Sequence, residues 1–390
     1  MVAEYATAIA DHVRKHRQEL TEMLRHMVDA ESPSSQPESH RLMISILNDA
    51  FSTLGYKVSN PAPNGSYRHV FARRRERAKN GDAQLLLGHF DTVWPLGTVA
   101  KRPFTIDGNI IRGPGVFDMK GGLAQIVFAL KAIHDLQLPL SVEPVVFINS
   151  DEEIGSRTSR RYVCALAKRA QRVFVMEPSM GEEGAIKTER KGIGRFTVTV
   201  HGKAAHAGLD PEGGASAILE LSHVIQSLFA MNDVEKGITV NVGTIDGGLQ
   251  PNVIAPHSQA VVDVRVPTIA DGERIEKDIL GLRPVTPGVR LSIEGRIGRP
   301  AMEMTPRNRT LWNQARELGQ ELGIDLQHGR AGGGSDGNLT SQYTATLDGL
   351  GPVGHGAHAE HEFLYVDRTL DRTALLALLL LSPVSSEAPA

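Results

Sequence analysis

Three short runs of this chain are apolar almost throughout: Gln84–Gly88, Pro144–Asn149 and Val173–Glu177. They are too short for helices and show no alternation of polar and apolar residues, so each reads as a strand covered on both faces. Helical stretches surround them: Tyr5–Asp29, then Leu42–Leu54 after the break ESPSSQPESH, and Gly121–Leu136 between the first two runs. Buried strands separated by helices predict an α/β layered sheet, at least partly parallel.

At 390 residues the chain exceeds one compact domain of ordinary size, and two are expected. The character changes near Lys191–Gly192. Phe196, Val198 and Val200 alternate with polar residues, and a helix follows at Ala215–Met231. Strands are expected near Ile238–Ile245 and Gln259–Val266, a helix near Asp271–Leu282, and a strand at Val289–Glu294. The order β-α-β-β-α-β is a ferredoxin-like unit. After Gly298 the α/β character returns, with helices at Arg307–Leu322 and from Leu370. The middle unit therefore reads as an insertion, dividing the chain into 1–190, 191–298 and 299–390. Its edge strands are suited to pair with another copy, so a homodimer is expected.

The totals exclude several functions. A formal charge of −3 gives no reason to expect nucleic acid or an anionic membrane as partner. The first twenty residues lack the apolar core of a secretory signal, and the run Ala374–Leu381 is too short to span a bilayer. That run reads as a buried C-terminal helix, and a cytoplasmic location is the expectation. The single cysteine, Cys164, rules out an intrachain disulfide or a thiolate metal cluster. A metal site would use His, Asp and Glu.

Such residues stand where the strands end. His89 and Asp91 follow the first run, Glu152 and Glu153 the second, and Glu177 closes the third. Asp118 lies in the loop GPGVFDMKGG that opens a helix, and HGAHAEHE adds histidines near the C-terminus. Taken singly, each has a plain reading: a turn, a helix cap, a solvated loop. Taken together they converge, because open α/β sheets bind ligands beyond the carboxyl ends of their strands. Carboxylates so crowded raise one another's pKa values, and a cation relieves them. Imidazole and carboxylate without sulfur suit Zn²⁺, with Co²⁺ or Mn²⁺ as substitutes. A carboxylate bridging two ions would set them roughly 3.5–4 Å apart with a hydroxide between.

The segments GHFDTVWP, RGPGVFDMKGG, NSDEEIGS, VMEPS, GKAAHAG, GGGSDGN and GHGAHAEHEFLYVD resemble the M20 family of metallopeptidases and deacylases, nearest its glutamate carboxypeptidase branch. The resemblance implies a zinc-exopeptidase-like α/β/α catalytic domain with the inserted α+β unit as dimerisation or lid domain. It implies that His89 and Glu177 each ligate a metal, Asp118 bridges, Glu153 is a ligand and Glu152 the general base. Asp91 would stand behind His89 and fix its imidazole. The last ligand is expected to be His358; His355 replaces a usual glycine and His361 is additional. A cis peptide after Asp118 is also implied.

By the same resemblance, a hydroxide between two Zn²⁺ ions, deprotonated by Glu152, would attack an amide carbonyl, and His206 would reach the oxyanion, typically from the neighbouring subunit. Arg265, lying among alternating valines, suits a substrate carboxylate held by two bonds; an ion pair with Asp263 is the competing reading. Asn252 would serve the same carboxylate. In the loop Gly332–Asp336, Gly334 and Ser335 would bring backbone amides close to a ligand. No Gly-Lys-Ser/Thr follows that loop, and no Gly-x-Ser-x-Gly surrounds Ser335. The expected activity is cleavage of a small peptide or N-acyl amino acid with a free carboxylate, in the manner of a glutamate carboxypeptidase. The alternatives are a deacylase or dipeptidase with the same metals, or a non-catalytic peptide binder.

Overall fold

The structure is a computed structural model that describes residues 2–63, 65–75 and 82–384. The chain forms two compact units: Met1–Thr188 with Met304–Arg330 and Ser335–Ala390, and Glu189–Glu303 with Ala331–Gly334.

In the first unit the apolar runs form the middle of a sheet. Strand Ala83–His89 lies between Glu143–Asn149 and Ala170–Val175, parallel to both. Ala345–Leu347 extends the sheet in parallel on one side; Val70–Arg74 and Tyr56–Ser59 extend it antiparallel on the other, making six strands. Alternation along each strand sends side chains to two layers. Leu86, Val146, Ile148 and Phe174 join the core under helices Gly121–Asp135 and Val366–Leu381. Leu85, Leu87, Val145, Phe147, Val173 and Val175 pack instead with Val163 and Ala167 of helix Arg160–Ala167. Neither face of these strands meets water, which is why their sequence carries no polar alternation.

At the amino ends of the strands a cation is buried. Arg172, 1% exposed, donates to Gln84 Oε1 at 2.9 Å, Leu379 O at 2.9 Å and Ser382 O at 2.8 Å. It thereby satisfies carbonyls at the end of the C-terminal helix. Burial pulls the pKa of this guanidinium down to about 10.

Three local expectations need correction. The first helix is two, Ala6–Lys15 and Arg17–Asp29, broken at His16, whose Nδ1 competes for the His12 carbonyl at 2.8 Å. The last helix starts at Val366 rather than near Leu370. A small sheet of Thr105–Asp107, Ile110–Arg112, Phe363–Tyr365 and Gly354–His355 was not anticipated, because strands this short leave no periodicity to read.

The second unit is a four-stranded antiparallel sheet in the order Thr239–Gly247, His257–Val266, Gly192–His201, Arg290–Arg299. Helices Ala217–Phe229 and Ile269–Leu280 pack on it, with N-caps from Ser216 and Thr268. Its chain order is the β-α-β-β-α-β read from the sequence. Among the described residues no helix is long and apolar enough to cross a membrane.

Candidate metal centre

Parallel register brings strand ends to one rim: His89 lies opposite Asn149, and Leu87 opposite Val175. Glu152 and Glu153 follow Asn149; Glu177 follows Val175, just beyond the end of its strand. Asp118 reaches the same rim from the turn before helix Gly121–Asp135. That helix runs close to the sheet because Gly122 has no side chain; a Cβ there would collide with the Met176 carbonyl. The Asp118–Met119 peptide is cis.

His89 Nδ1 lies 3.0 Å from the Asp91 backbone carbonyl, an acceptor only, so Nδ1 carries a hydrogen and Nε2 is left to meet the acids. Nε2 is 3.3 Å from Asp118 Oδ1 and 3.4 Å from Glu177 Oε1. On the other side, His358 Nε2 is 3.0 Å from Glu153 Oε2 and 3.5 Å from Asp118 Oδ2. The two oxygens of Asp118 thus address two different His–Glu pairs. His358 takes a φ of +60° to turn its ring inward. His355 and His361 face each other instead, with ring nitrogens 3.3 Å apart. Potential ligand atoms of Glu152, His89 and Glu177 lie within 4.8 Å of one another.

Asp91 is fully buried and ties the rim together. Its carboxylate accepts from Glu152 N at 3.1 Å, Glu153 N at 3.2 Å and Ser34 Oγ at 2.7 Å. One residue therefore orients both His89 and the Glu152–Glu153 turn.

Crowding shifts the protonation of these groups. Burial, helped by the charge of Asp118 and opposed by His358, pushes the Glu153 carboxyl up to about 7. The hydrogen bond to Glu153 lifts His358 to about 9, against the effect of burial. His89 is raised well above the ordinary histidine range: burial opposes its charge, but Asp118, Asp91 and Glu177 outweigh burial. Protons thus occupy positions that suit cations. Asp118 Oδ1 gives the same indication, being buried and accepting no hydrogen bond of good geometry despite lying near His89. The donor set of two imidazoles and hard carboxylate oxygens fits a pair of divalent ions.

His206, Asn252, Arg265 and Gly334 belong to the second unit, and Ser335 to the first. His206 Nδ1 accepts from Gly208 N at 3.2 Å and Leu209 N at 3.3 Å, so the neutral ring carries its proton on Nε2. His206 and Asn252 are neighbours, since Ala207 N donates to Asn252 O and His206 bridges to Val253. Arg265 makes a two-pronged ion pair with Asp263, at 2.8 and 3.1 Å. Ser335 is buried; its hydroxyl donates to Asp348, and its amide to Asn338.

Supporting residues beyond the sequence reading include Asp336 and His69. Asp336 accepts from Asn149 Nδ2 and Ser156 Oγ, and His69 spans Ser150 and Thr158. Both brace the turn that carries Glu152 and Glu153. Their partners are too distant in sequence for any local pattern to reveal.

The model of peptidase family M20/M25/M40 matches residues 85–382. Carboxypeptidase G2 of Pseudomonas sp. (strain RS-16) is 28% identical over 355 residues, covering 88% of this chain and 84% of that protein. Among solved structures, aminopeptidase PepT from Bacillus cereus superposes with a TM-score of 0.75 at 19% identity, covering 93% of this chain and 98% of that one. The YXEP protein of Bacillus subtilis, described as a dinuclear metal binding peptidase from the M20 family, gives 0.68 at 15% identity, covering 94% and 98%.

Proposed function

Because the chain belongs to peptidase family M20/M25/M40, we propose that it is a dinuclear zinc hydrolase that cuts the amide bond of a small peptide or N-acyl amino acid bearing a free carboxylate. The observation that carries this reading is Asp118, whose two oxygens face His89 with Glu177 on one side and His358 with Glu153 on the other. Those five residues would hold the ions, as the YXEP protein's description as dinuclear supports. Bound there, the ions would polarise a carbonyl and make a water acidic near neutral pH.

Every other role falls to the chain itself. Glu152, beside His89 and Glu177, takes a proton from the attacking water onto its carboxylate and hands it to the departing amine. Asp91 keeps His89 and the Glu152 turn in place. His206 offers its Nε2–H to the oxyanion. Asn252 and Arg265 engage the substrate carboxylate, Arg265 by leaving Asp263, and the loop at Gly334 and Ser335 closes around the acyl part.

Within one copy, Asn252 lies beyond the His257 end of the ladder that pairs His257 with His201, where Gly202 N donates to Pro256 O and His206 bridges to Val253, and Arg265 lies near the other end, opposite Ile193. Eight residue-to-residue steps of strand lead from His257 to Arg265, roughly 26 Å. That separation supports a homodimer through the second unit, with the two residues reaching one carboxylate from different copies. Leu219, Phe229 and Ile245 stand exposed on that unit, as a surface for pairing would require.

Glutamate as the released amino acid follows the resemblance of the sequence motifs to the glutamate carboxypeptidase branch of the family. The test is hydrolysis of a panel of N-acyl amino acids and dipeptides before and after chelation. Metal-dependent turnover restricted to substrates with a free carboxylate is expected, with N-acyl-glutamates foremost. Preference for N-acetyl over larger acyl groups would favour a deacylase. Metal-loaded protein inert on the whole panel would favour a peptide binder.

A further inference from the structure

Glu362 is 3% exposed and sits in the turn between His358 and strand Phe363–Tyr365. Four N–H groups converge on its carboxylate. Oε1 accepts from Phe117 N at 2.9 Å and Asp118 N at 3.0 Å; Oε2 accepts from Gly115 N at 2.8 Å and Trp94 Nε1 at 3.1 Å. Three of these donors are consecutive or nearly consecutive amides of the turn that presents Asp118.

The other end of Glu362 is equally fixed. Its amide donates to Ala359 O at 3.1 Å, and Ala359 N donates to Gly356 O at 2.8 Å. Gly356 has a φ of +88°, and a Cβ there would press on Glu362 N and Cα at 3.1 and 3.0 Å. The segment that carries His358 is thus wound tightly onto the residue whose side chain grips the Asp118 turn. Two ligand candidates 240 positions apart in the chain share one clamp.

We infer that Glu362 is a positioning residue: it latches the Asp118 turn to the His358 turn and so sets the angle at which the two side chains present their ligand atoms. This rests on the dinuclear reading above. The residue type is dictated by the donors. A carboxylate accepts at every lone pair, whereas glutamine would set an NH₂ against two N–H groups. Aspartate would keep the charge but lack the reach for all four.

The test compares wild type with Glu362→Gln and Glu362→Asp, using Co²⁺ alone as probe. Chelator competition gives affinity, the visible Co²⁺ spectrum reports ligand geometry, and amide exchange of the metal-free proteins reports the latch itself. Loss of such an outer partner typically weakens metal binding 10–100-fold. We expect that loss in Glu362→Gln, with a shifted spectrum and faster exchange at Gly115, Phe117 and Asp118, and an intermediate result for Glu362→Asp. Wild-type affinity and spectrum in Glu362→Gln would overturn the inference, as they would in Glu362→Asp should the glutamine variant not fold. Wild-type protein that binds no Co²⁺ sinks the dinuclear reading and the metal arm of this test. In that case amide exchange still decides whether the latch exists.

Discussion

The two ends of the central sheet both bury charge, and they balance it in opposite ways. At the amino ends, Arg172 meets Gln84, Leu379 O and Ser382 O, so a buried cation is matched by acceptors fixed in the fold. At the carboxyl ends, Asp118, Glu153 and Glu177 crowd two imidazoles, and Asp118 Oδ1 accepts no hydrogen bond of good geometry. One end is complete in itself. The other has an excess of acceptors that only added positive charge, as protons or metal ions, can relieve. Burial of charge is therefore a poor guide to function; whether the fold itself completes the hydrogen bonding is a better one.

The sharpest way to break that contrast is to change one residue at each end. Glu152→Gln should lower kcat by about 10²–10⁴-fold while leaving metal content at the wild-type level, since it removes a proton carrier and no ligand. Retained turnover, or lost metal, would remove Glu152 as the base. Arg172→Met should act on stability instead. Each carbonyl left buried without a donor costs about 1–3 kcal/mol, so a loss of about 3 kcal/mol or more is expected, with turnover of the folded fraction unchanged. Chemical denaturation and kinetics on the same preparation separate the two effects.

A smaller effect sharpens the comparison. Glu153 and His358 have folded-state pKa values, about 7 and about 9, above their unfolded ones. Groups raised in this way stabilise the fold fully below the unfolded pKa, and that contribution is lost as pH rises through the folded value. For Glu153 the window runs from roughly pH 4.5 to 7 and is worth up to about 3 kcal/mol. Metal-free Glu153→Gln should therefore flatten the decline of stability across that window, and metal bound to the wild type should remove the decline by holding the buried Glu153 carboxylate ionised. Parallel curves for the two metal-free proteins would show that Glu153 takes up no extra proton on folding across that window.

The sheet was legible in the sequence because strands buried on both faces have no polar alternation, and the rim was legible because His89, Glu152 and Glu177 stand at or just beyond the carboxyl ends of such strands. The ferredoxin-like order was readable from Phe196, Val198 and Val200 onward. What could not be read was pairing across distance. Arg172 looks like a stray charge in an apolar strand until helix Val366–Leu381 brings its carbonyls. Glu362 looks like one more acid in a histidine-rich tail until the Asp118 turn closes on it. Among His355, His358 and His361 the resemblance favoured His358, and the structure brings that ring to Glu153 and Asp118 while His355 and His361 face each other. For Arg265 the sequence left a substrate carboxylate and Asp263 in balance, and the structure pairs it with Asp263.

The central claim is that the carboxyl-end rim is built around two cations with Asp118 between them. Anomalous diffraction at the zinc edge from crystals of the zinc-loaded protein tests it most directly. Two peaks are predicted, one between His89 and Glu177 and one between His358 and Glu153, each within bonding distance of a different Asp118 oxygen. No peak on that rim, or a single one that Asp118 does not touch, would contradict the account.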